Sequence, residues 1–226
     1  MTYDRTLTRV ETYFDRTATR TWERLTSDAP VSKIRETVRR GRDAMRAQML
    51  SRLPADLRGA RVLDAGCGAG QMTAELAARG AQVVAIDISP SLVGIARQRL
   101  PLDLTARVDF RTGDMLGTDL GRFDHVMAMD SLIYYTQTDI ATALHNLGQR
   151  TSGSIVFTVA PRTALLMAMW HMGQLFPRAD RSPTMVPHAP ARLTKALTKA
   201  EAPGTLTALD RVTSGFYISQ AMEYRP

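Results

Sequence analysis

The chain has 226 residues, of which 44% are hydrophobic, and this is enough for one ordinary core and a small cap. No stretch approaches the roughly 18–20 apolar residues of a membrane-spanning helix, and the polar, charged N-terminus does not resemble a secretory signal. A single cysteine, Cys67, excludes an internal disulfide framework, and the formal net charge of +7 comes from scattered arginines without the aromatic neighbours typical of nucleic-acid binding. These totals predict a cytoplasmic protein that does not bind nucleic acid.

Residues 1–58 precede the first strand and are predicted to form a helical cap. Apolar side chains recur every three or four residues over 7–25 and again over 31–49, which is the spacing of two amphipathic helices. Two interpretations stay open. The helices could cover an exposed face of a sheet, or they could close over a ligand as a lid, with Tyr13 and the arginines near Arg35 facing inward. We favour the lid.

Residues 61–159 alternate between strand and helix patterns. Five apolar strands are predicted in "RVLDAG", "AQVVAID", "ARVDFRTGD", "RFDHVMAMD" and "GSIVFTVAP", and three helices lie between them. The second helix begins with Ser89 as N-cap and Pro90 at the first helical position, where a missing N–H costs nothing. This alternation predicts right-handed βαβ units and a parallel sheet covered on both faces.

The pattern changes after Pro161. "TALLMAMWHMGQLF" predicts a Met-rich apolar helix, and a proline-punctuated loop follows it. A helix near 190–200 and two alternating strands close the chain. We interpret these strands as a β-hairpin at the end of the sheet, so that 59–226 form one domain with an insertion at 161–190.

The first strand runs into a glycine-rich turn, "LDAGCGAG". Glycines adopt positive φ and let a ligand lie against the backbone. Gln71 stands where a dinucleotide fingerprint has its third glycine, and Asp64 would repel a pyrophosphate. Asp64 suits a cationic group instead, such as the amino group of an amino acid. An ordinary βα turn with an incidental aspartate is the alternative for this motif taken alone.

Further candidate side chains follow the next two strands. Asp87 ends the second strand, where a carboxylate accepts hydrogen bonds from both ribose hydroxyls. "TGDM" after the third strand offers Asp114 to an adenine amino group and Met115 to the side of the ring. A cationic aminoacyl end, a ribose and an adenine without a phosphate are the parts of S-adenosylmethionine. The glycine turn, Asp64, Asp87 and the pair Asp114 and Met115, in this order along the chain, therefore predict that cofactor.

The segments "LDAGCGAG", "AIDIS", "RTGDM" and "FDHVMAMDSLIYY" resemble the class I methyltransferases, in that family's order. The resemblance implies an α/β, Rossmann-like fold with a seven-stranded, mostly parallel sheet whose last strand is antiparallel. It also implies that S-adenosyl-L-homocysteine is a product. With the residues above, the cofactor-binding set becomes Asp64, Gly66, Cys67, Gly68, Gly70, Asp87, Ile88, Asp114, Met115 and Asp130.

The flanks resemble one family more narrowly, the magnesium-protoporphyrin IX O-methyltransferases of (bacterio)chlorophyll synthesis. The similar segments are "YFDRTATRTWERLTSD", "APRTALLMAMWHMGQLFPRADRSP" and "SGFYISQAMEYR". The resemblance implies that one propionate of magnesium protoporphyrin IX becomes a methyl ester. It implies contact between the macrocycle and the insertion, through Met167, Trp170 and His171. Tyr135, after the fourth strand, is a further candidate for substrate binding. A core or cap helix without ligand contact is the alternative for the Met-rich segment.

Two tyrosines are the candidates for holding the propionate. A carboxylate is already nucleophilic at neutral pH, so the transfer needs alignment and exclusion of water more than a strong base. The resemblance implies catalytic positions at Tyr13 and at Tyr134, but a histidine often occupies the second position in the family. That departure favours a positioning role over acid–base chemistry at Tyr134.

No protein-bound metal is predicted, because no two of the four histidines have metal-ligand spacing, and the magnesium belongs to the substrate. His171 or His188 could ligate that magnesium axially. The resemblance makes contact with the large subunit of magnesium chelatase plausible, and peripheral contact with the inner membrane is compatible with the sequence. Two other functions stay open: methylation of another apolar small molecule (a quinone, amine or fatty acid) and a non-catalytic S-adenosylmethionine-binding subunit of a pigment-synthesis assembly.

Overall fold

The computed structural model describes residues 3–15, 32–163, 166–167 and 185–226. Six α-helices lie in these ranges: α1 (Tyr3–Tyr13), α2 (Lys33–Leu50), α3 (Gln71–Ala78), α4 (Pro90–Arg99), α5 (Gln137–Gly148) and α6 (Pro190–Lys199). The described strands are β1 (Arg61–Ala65), β2 (Gln82–Asp87), β3 (Val108–Thr112), β4 (Phe123–Ala128), β5 (Thr151–Pro161), β6 (Pro187–His188), β7 (Thr205–Ser214) and β8 (Tyr217–Arg225). Each of the seven predicted strands is present.

Seven of these eight strands follow one another across the sheet in the order β3-β2-β1-β4-β5-β8-β7, and β6 pairs with β5 off this path. Strands β1 to β5 pair in parallel, and β8 is antiparallel to both of its neighbours, β5 and β7. This confirms the predicted seven-stranded sheet with an antiparallel last strand. The strand order reverses between β1 and β4, so the crevice outside their carboxyl ends is where a ligand is expected to bind.

The short strand β6 was not predicted. It pairs in parallel with the end of β5, through Ala160 with Pro187 and Pro161 with His188. The backbone N–H of Val186 also donates to the carbonyl of Ile133, at 2.8 Å. Both ends of the insertion are therefore fastened beside the carboxyl end of β4.

Local signals explain where the helices begin. Ser89 caps α4 by accepting a hydrogen bond from the N–H of Leu92, with Pro90 next, as predicted. Helix α5 begins with a capping box between Thr136 and Asp139, directly after the tyrosine pair that follows β4. The cap fixes the direction in which the chain leaves that pair.

Helix α2 is part of the hydrophobic core. Its side chains Met45, Met49 and Leu50 are buried against the sheet. A Cβ on Gly41 would lie 2.7 Å from Cδ1 of Tyr217, so the helix backbone rests directly on the start of β8. The lid interpretation of 1–58 therefore concerns α1, because α2 is built into the domain.

Several predicted features lie outside the described residues. Of the Met-rich segment after Thr163, only Leu166 and Met167 are described, both helical. Trp170 and His171 lie outside, as does the second half of the first predicted helix. Within the described ranges, no helix is long and apolar enough to cross a membrane.

Candidate active site

A single pocket at the carboxyl ends of β1, β2 and β4 brings most of the predicted site residues together. From the glycine turn it is lined by Asp64, Gly66, Cys67 and Gly68. The loops after the next strands contribute Asp87, Ile88 and Met115, and the segment after β4 contributes Asp130, Tyr134 and Tyr135. The two predicted cofactor residues that do not line the pocket are Gly70 and Asp114.

The three glycines of the turn have positive φ but different surroundings. A Cβ on Gly66 would lie 2.4 Å from Cβ of Ser131, so this glycine permits the close approach of the segment after β4. A Cβ on Gly70 would lie 2.9 Å from Cβ of Ala96, so this one permits packing of α4. A Cβ on Gly68 would meet no atom within 4 Å, which leaves its free face toward the pocket.

Asp64 is a buried carboxyl group at the floor of the pocket. Its Oδ2 accepts a hydrogen bond from the hydroxyl of Thr73 on α3, at 2.6 Å. Burial raises the pKa of Asp64 to about 7, the charge of Asp87 acts in the same direction, and the Thr73 bond opposes both. A cationic ligand group would offset that cost of ionising Asp64.

Asp87 is fixed by backbone donors. Gly68 N donates to Oδ2 at 2.8 Å and Ser89 N donates to Oδ1 at 2.9 Å. Burial raises the pKa of Asp87, and these N–H groups oppose the shift. Burial also raises the pKa of the neighbouring Cys67 thiol, which fits an unreactive filler of the turn rather than a nucleophile.

Asp114 lies behind the pocket wall and contacts the N-terminal helix. Its Oδ1 accepts from the hydroxyl of Tyr3 at 2.6 Å and from the N–H of Leu116 at 2.9 Å. Arg150 donates to the carbonyls of Met115 and Gly117 and so braces the same loop. The predicted contact between Asp114 and an adenine would therefore have to share this carboxylate with Tyr3.

The segment after β4 places two tyrosines in the pocket. Tyr135 is buried and stacks on Tyr3, with ring centroids 5.0 Å apart. Burial, reinforced by the charge of Asp130 and by Tyr13, raises the pKa of Tyr134, so its phenol stays protonated and can donate a hydrogen bond. Between them and β4, the hydroxyl of Ser131 is buried and has no hydrogen-bond partner among the described residues. An unsatisfied buried hydroxyl beside a pocket is a natural contact for a ligand.

Helix α1 lies across the pocket. Its side chains Leu7 and Val10, and Phe14 just beyond it, line the pocket at helical spacing. The ring of Phe14 packs edge-on against Tyr134, with centroids 6.0 Å apart, whereas Tyr13 packs against Phe14 and does not itself line the pocket. The structure thus brings Tyr13 near Tyr134 without bringing it into the pocket wall.

Both ends of the α1 segment are held by loops that carry predicted cofactor carboxylates. Tyr3 bonds to Asp114, as described above. At the other end, Asp15 accepts from the hydroxyl of Ser91, at 2.6 Å, and from the hydroxyl of Ser89, at 3.3 Å. These serines lie two and four residues after Asp87.

Two arginines of α2 line the pocket, whereas Arg35, around which the sequence analysis placed the inward-facing arginines, is exposed and does not line it. Arg42 and Arg46 of α2 line it one helical turn apart. Arg42 forms an ion pair with Asp130, and Arg46 pairs with Asp43. The sequence feature that could have indicated them is the run "TVRRGRDAMR", because its i, i+4 spacing places both arginines on one helix face. An arginine on an amphipathic helix is usually solvent-exposed, however, so this spacing alone does not predict a pocket residue.

His188 is not placed as a ligand for a substrate metal. The side chain is buried, and its Nε2 donates to the carbonyl of Tyr135 at 2.9 Å. Burial lowers the pKa of His188, so the ring is neutral at pH 7. Among the described residues, no three His, Cys, Asp or Glu side chains are grouped so that they could hold a metal ion.

Comparison with known families gives two matches along the chain. A profile described as "Magnesium-protoporphyrin IX methyltransferase C-terminus" matches residues 128–226, and a general methyltransferase-domain profile matches residues 62–151. The magnesium-protoporphyrin O-methyltransferase of Rhodobacter capsulatus is 60% identical over 219 residues, which is 96% of each chain.

Solved structures give the same result. The crystal structure of magnesium protoporphyrin IX methyltransferase from Synechocystis with bound SAH superposes with a TM-score of 0.80 at 28% identity, over 97% of this chain and 99% of that one. By contrast, a ubiquinone biosynthesis O-methyltransferase of Xanthomonas oryzae is 37% identical over only 52% of this chain and 50% of its own.

Proposed function

The chain belongs to the magnesium-protoporphyrin O-methyltransferase family, and from that premise we propose how its pocket works. The enzyme transfers a methyl group from S-adenosylmethionine to a propionate carboxylate of magnesium protoporphyrin IX and releases the monomethyl ester, a step of bacteriochlorophyll synthesis. The observation that carries this assignment is identity of 60% along nearly the full length of a named relative. The quinone methyltransferase alternative is disfavoured, because that similarity extends over only half of each chain.

We propose that S-adenosylmethionine lies in this pocket with its parts in the order of the strands. The cofactor supplies an electrophilic methyl group on a sulfonium. We assign Asp64 to its ammonium group, Asp87 to its ribose, and the Met115 loop to its adenine. The support is the buried carboxyl of Asp64, whose ionisation a cation would favour, and the open face of Gly68 beside Asp87. We assign Arg46 of α2, which lines the same pocket, to the aminoacyl carboxylate.

The residues around Tyr134 are assigned to the acceptor. The phenol of Tyr134 donates a hydrogen bond to the propionate and orients it, and Tyr13 supports Tyr134 from α1. Neither needs to remove a proton, because the propionate is ionised at pH 7. Helix α1 excludes water through Leu7 and Phe14, and a dry site favours a transfer in which opposite charges meet.

Contacts beyond the active site are further proposals. Net charge of +7 and the exposed side chains Ile34 and Phe216 support peripheral contact with an anionic membrane surface from the cytoplasmic side. Direct transfer of the substrate from the large subunit of magnesium chelatase rests on the family resemblance. The proposed contacts of the macrocycle with Met167, Trp170 and His171 also rest on the family resemblance.

The test is direct. Purified protein is incubated with methyl-labelled S-adenosylmethionine and magnesium protoporphyrin IX, and the porphyrin is analysed for a base-labile monomethyl ester. We expect one label per porphyrin and strongly reduced labelling with Asp87→Ala, which removes the ribose contact. Metal-free protoporphyrin and a quinone serve as competing acceptors. Absence of label from the magnesium porphyrin, in a protein that binds the cofactor, would refute the acceptor assignment.

A further inference from the structure

The carboxylate of Asp130 is held by side chains from three separate parts of the fold. Arg42 of α2 forms an ion pair with it. Tyr217, the first residue of β8, donates its hydroxyl to Oδ1 at 3.1 Å. On β5, the hydroxyl of Thr158 lies 3.2 Å from the same oxygen and accepts from the backbone N–H of Asp130 at 2.7 Å. A partly buried carboxylate with this many partners is anchored.

The backbone of Asp130 needs such an anchor. Its φ is +56°, in the left-handed region that side chains other than glycine rarely adopt. A conformation of this kind persists where the surroundings hold it in place. The residues that follow turn at once into a short 3-10 helix, Leu132–Tyr134. The conformation at Asp130 therefore sets the direction in which Ser131 and Tyr134 enter the pocket.

The fold makes a specific place for Tyr217. A Cβ on Gly41 would lie 2.7 Å from Cδ1 and 3.0 Å from Cβ of Tyr217, so α2 can approach the ring only because residue 41 is glycine. One turn earlier, the carbonyl of Thr37 accepts from the hydroxyl of Ser214, at 2.7 Å. The β7–β8 hairpin is thereby fixed to α2, and the phenol of Tyr217 is directed at Asp130.

We propose that Tyr217 is a positioning residue for methyl transfer. Its hydroxyl, together with Arg42 and Thr158, holds Asp130 in the left-handed conformation, and Asp130 in turn holds Tyr134 at the pocket. Asp130 then acts as an anchor rather than as a ligand of the cofactor, because its oxygens are already bonded within the protein. The inference rests on the proposed function, since Tyr134 is the group being positioned.

Tyr217→Phe tests the proposal, because it removes the hydroxyl and keeps the ring that packs on α2. The matched control is Tyr224→Phe. Tyr224 lies on the same strand, seven residues or about 23 Å further along, and donates its buried hydroxyl to the carbonyl of Pro203. Both variants are measured for kcat and KM with magnesium protoporphyrin IX, for cofactor affinity by calorimetry, and for amide hydrogen exchange over 130–135.

We expect Tyr217→Phe to lower kcat about tenfold, to leave cofactor affinity within about twofold, and to speed exchange over 130–135. Tyr224→Phe should lower the melting temperature and leave kcat and that exchange unchanged. Unchanged exchange in Tyr217→Phe overturns the proposal, whichever substrate the enzyme methylates. A wild-type protein without activity on the magnesium porphyrin overturns the proposed function instead, and the exchange measurement still decides the positioning role.

Asp130→Asn gives an independent check, because asparagine tolerates the left-handed conformation and keeps one hydrogen-bonding oxygen. Partial retention of kcat with normal cofactor affinity supports the anchor. Loss of cofactor binding in Asp130→Asn would show that the carboxylate contacts the cofactor, and this result overturns the proposal.

Discussion

Asp64 should make the affinity for S-adenosylmethionine depend on pH. Burial, with a further contribution from the charge of Asp87, raises the pKa of its carboxyl to about 7 in the ligand-free protein. An ammonium group bound beside Asp64 favours the carboxylate. Below about pH 7 the cofactor therefore has to displace a proton from Asp64, and its apparent affinity falls.

The size of the effect follows from that pKa. With a pKa of about 7, roughly three quarters of Asp64 is ionised at pH 7.5 and roughly a tenth at pH 6.0. The dissociation constant should rise about eightfold over this range, or about 1.2 kcal/mol. Calorimetry at the two pH values measures it, and the same titration in buffers of different ionisation enthalpy measures the proton released.

Two variants show whether Asp64 is the group responsible. Asp64→Asn is neutral at both pH values and should bind the cofactor weakly with little dependence on pH. Asp103→Asn removes an exposed carboxylate outside the pocket and should keep the wild-type eightfold ratio. If wild type binds equally well at both pH values, or if Asp64→Asn retains the ratio, the assignment of Asp64 to the ammonium group is wrong.

The raised pKa of Asp64 also affects folding stability, which should fall as pH rises, whereas cofactor affinity should increase. The folded-state pKa of Asp64 lies above the ordinary value, so the unfolded chain loses its proton first as pH rises. The ligand-free protein should therefore lose stability between about pH 4 and pH 7 relative to Asp64→Asn. Melting temperatures of the two proteins over this range would reveal the difference, and parallel curves would contradict it.

Two other predictions concern the glycine turn and α1. A side chain at either Gly66 or Gly68 is strained by the positive φ of that residue, but only the Cβ of Gly66→Ala would also clash, 2.4 Å from Cβ of Ser131. Gly66→Ala should therefore lower the melting temperature more than Gly68→Ala, whose Cβ meets no atom and should chiefly reduce cofactor affinity at the pocket. Equal losses of melting temperature would argue against this division. Tyr13→Phe should lower kcat severalfold and leave cofactor affinity nearly unchanged, since Tyr13 packs on Phe14, which contacts Tyr134, and lies outside the pocket wall. Calorimetry and steady-state kinetics separate the two, and an unchanged kcat would make Tyr13 structural.

The sheet could be predicted because its signals are local. The central strands are buried on both faces and read as unbroken apolar runs, such as the one that ends at Asp64, while Ser89 and Pro90 mark a helix start within two residues. Strand β6 could not be predicted, because a two-residue strand has no periodicity. It exists through its pairing with β5, which only the folded chain brings into reach.

The site was predicted where one short segment carries all of the information. The glycine turn and Asp87 combine residue type with position at a strand end, and both reach the pocket. The contacts of Arg42 with Asp130 and of Tyr3 with Asp114 join residues 88 and 111 positions apart. The sequence does not indicate which distant residue an arginine or a tyrosine on an amphipathic helix will contact, because that contact depends on how the helix packs against the rest of the fold. For α2 that docking depends on Gly41, whose missing side chain the sequence shows without showing what fills the space.

Helix α1 has little reason to be stable away from the pocket. It has 11 residues, which is short for an isolated helix in water, and its buried side chains are Thr6 and Val10. The contacts that hold it include the pocket-facing side chains of Leu7 and Val10, the stacking of Tyr3 on Tyr135, and the hydrogen bonds of Tyr3 and Asp15 near its two ends. If α1 is the lid that the sequence analysis favours, we expect cofactor entry to break some of these contacts and a bound cofactor to give the apolar face of α1 a surface to cover. On that interpretation the same interactions would release the helix for entry and return it for catalysis, as loops and lids do in other enzymes.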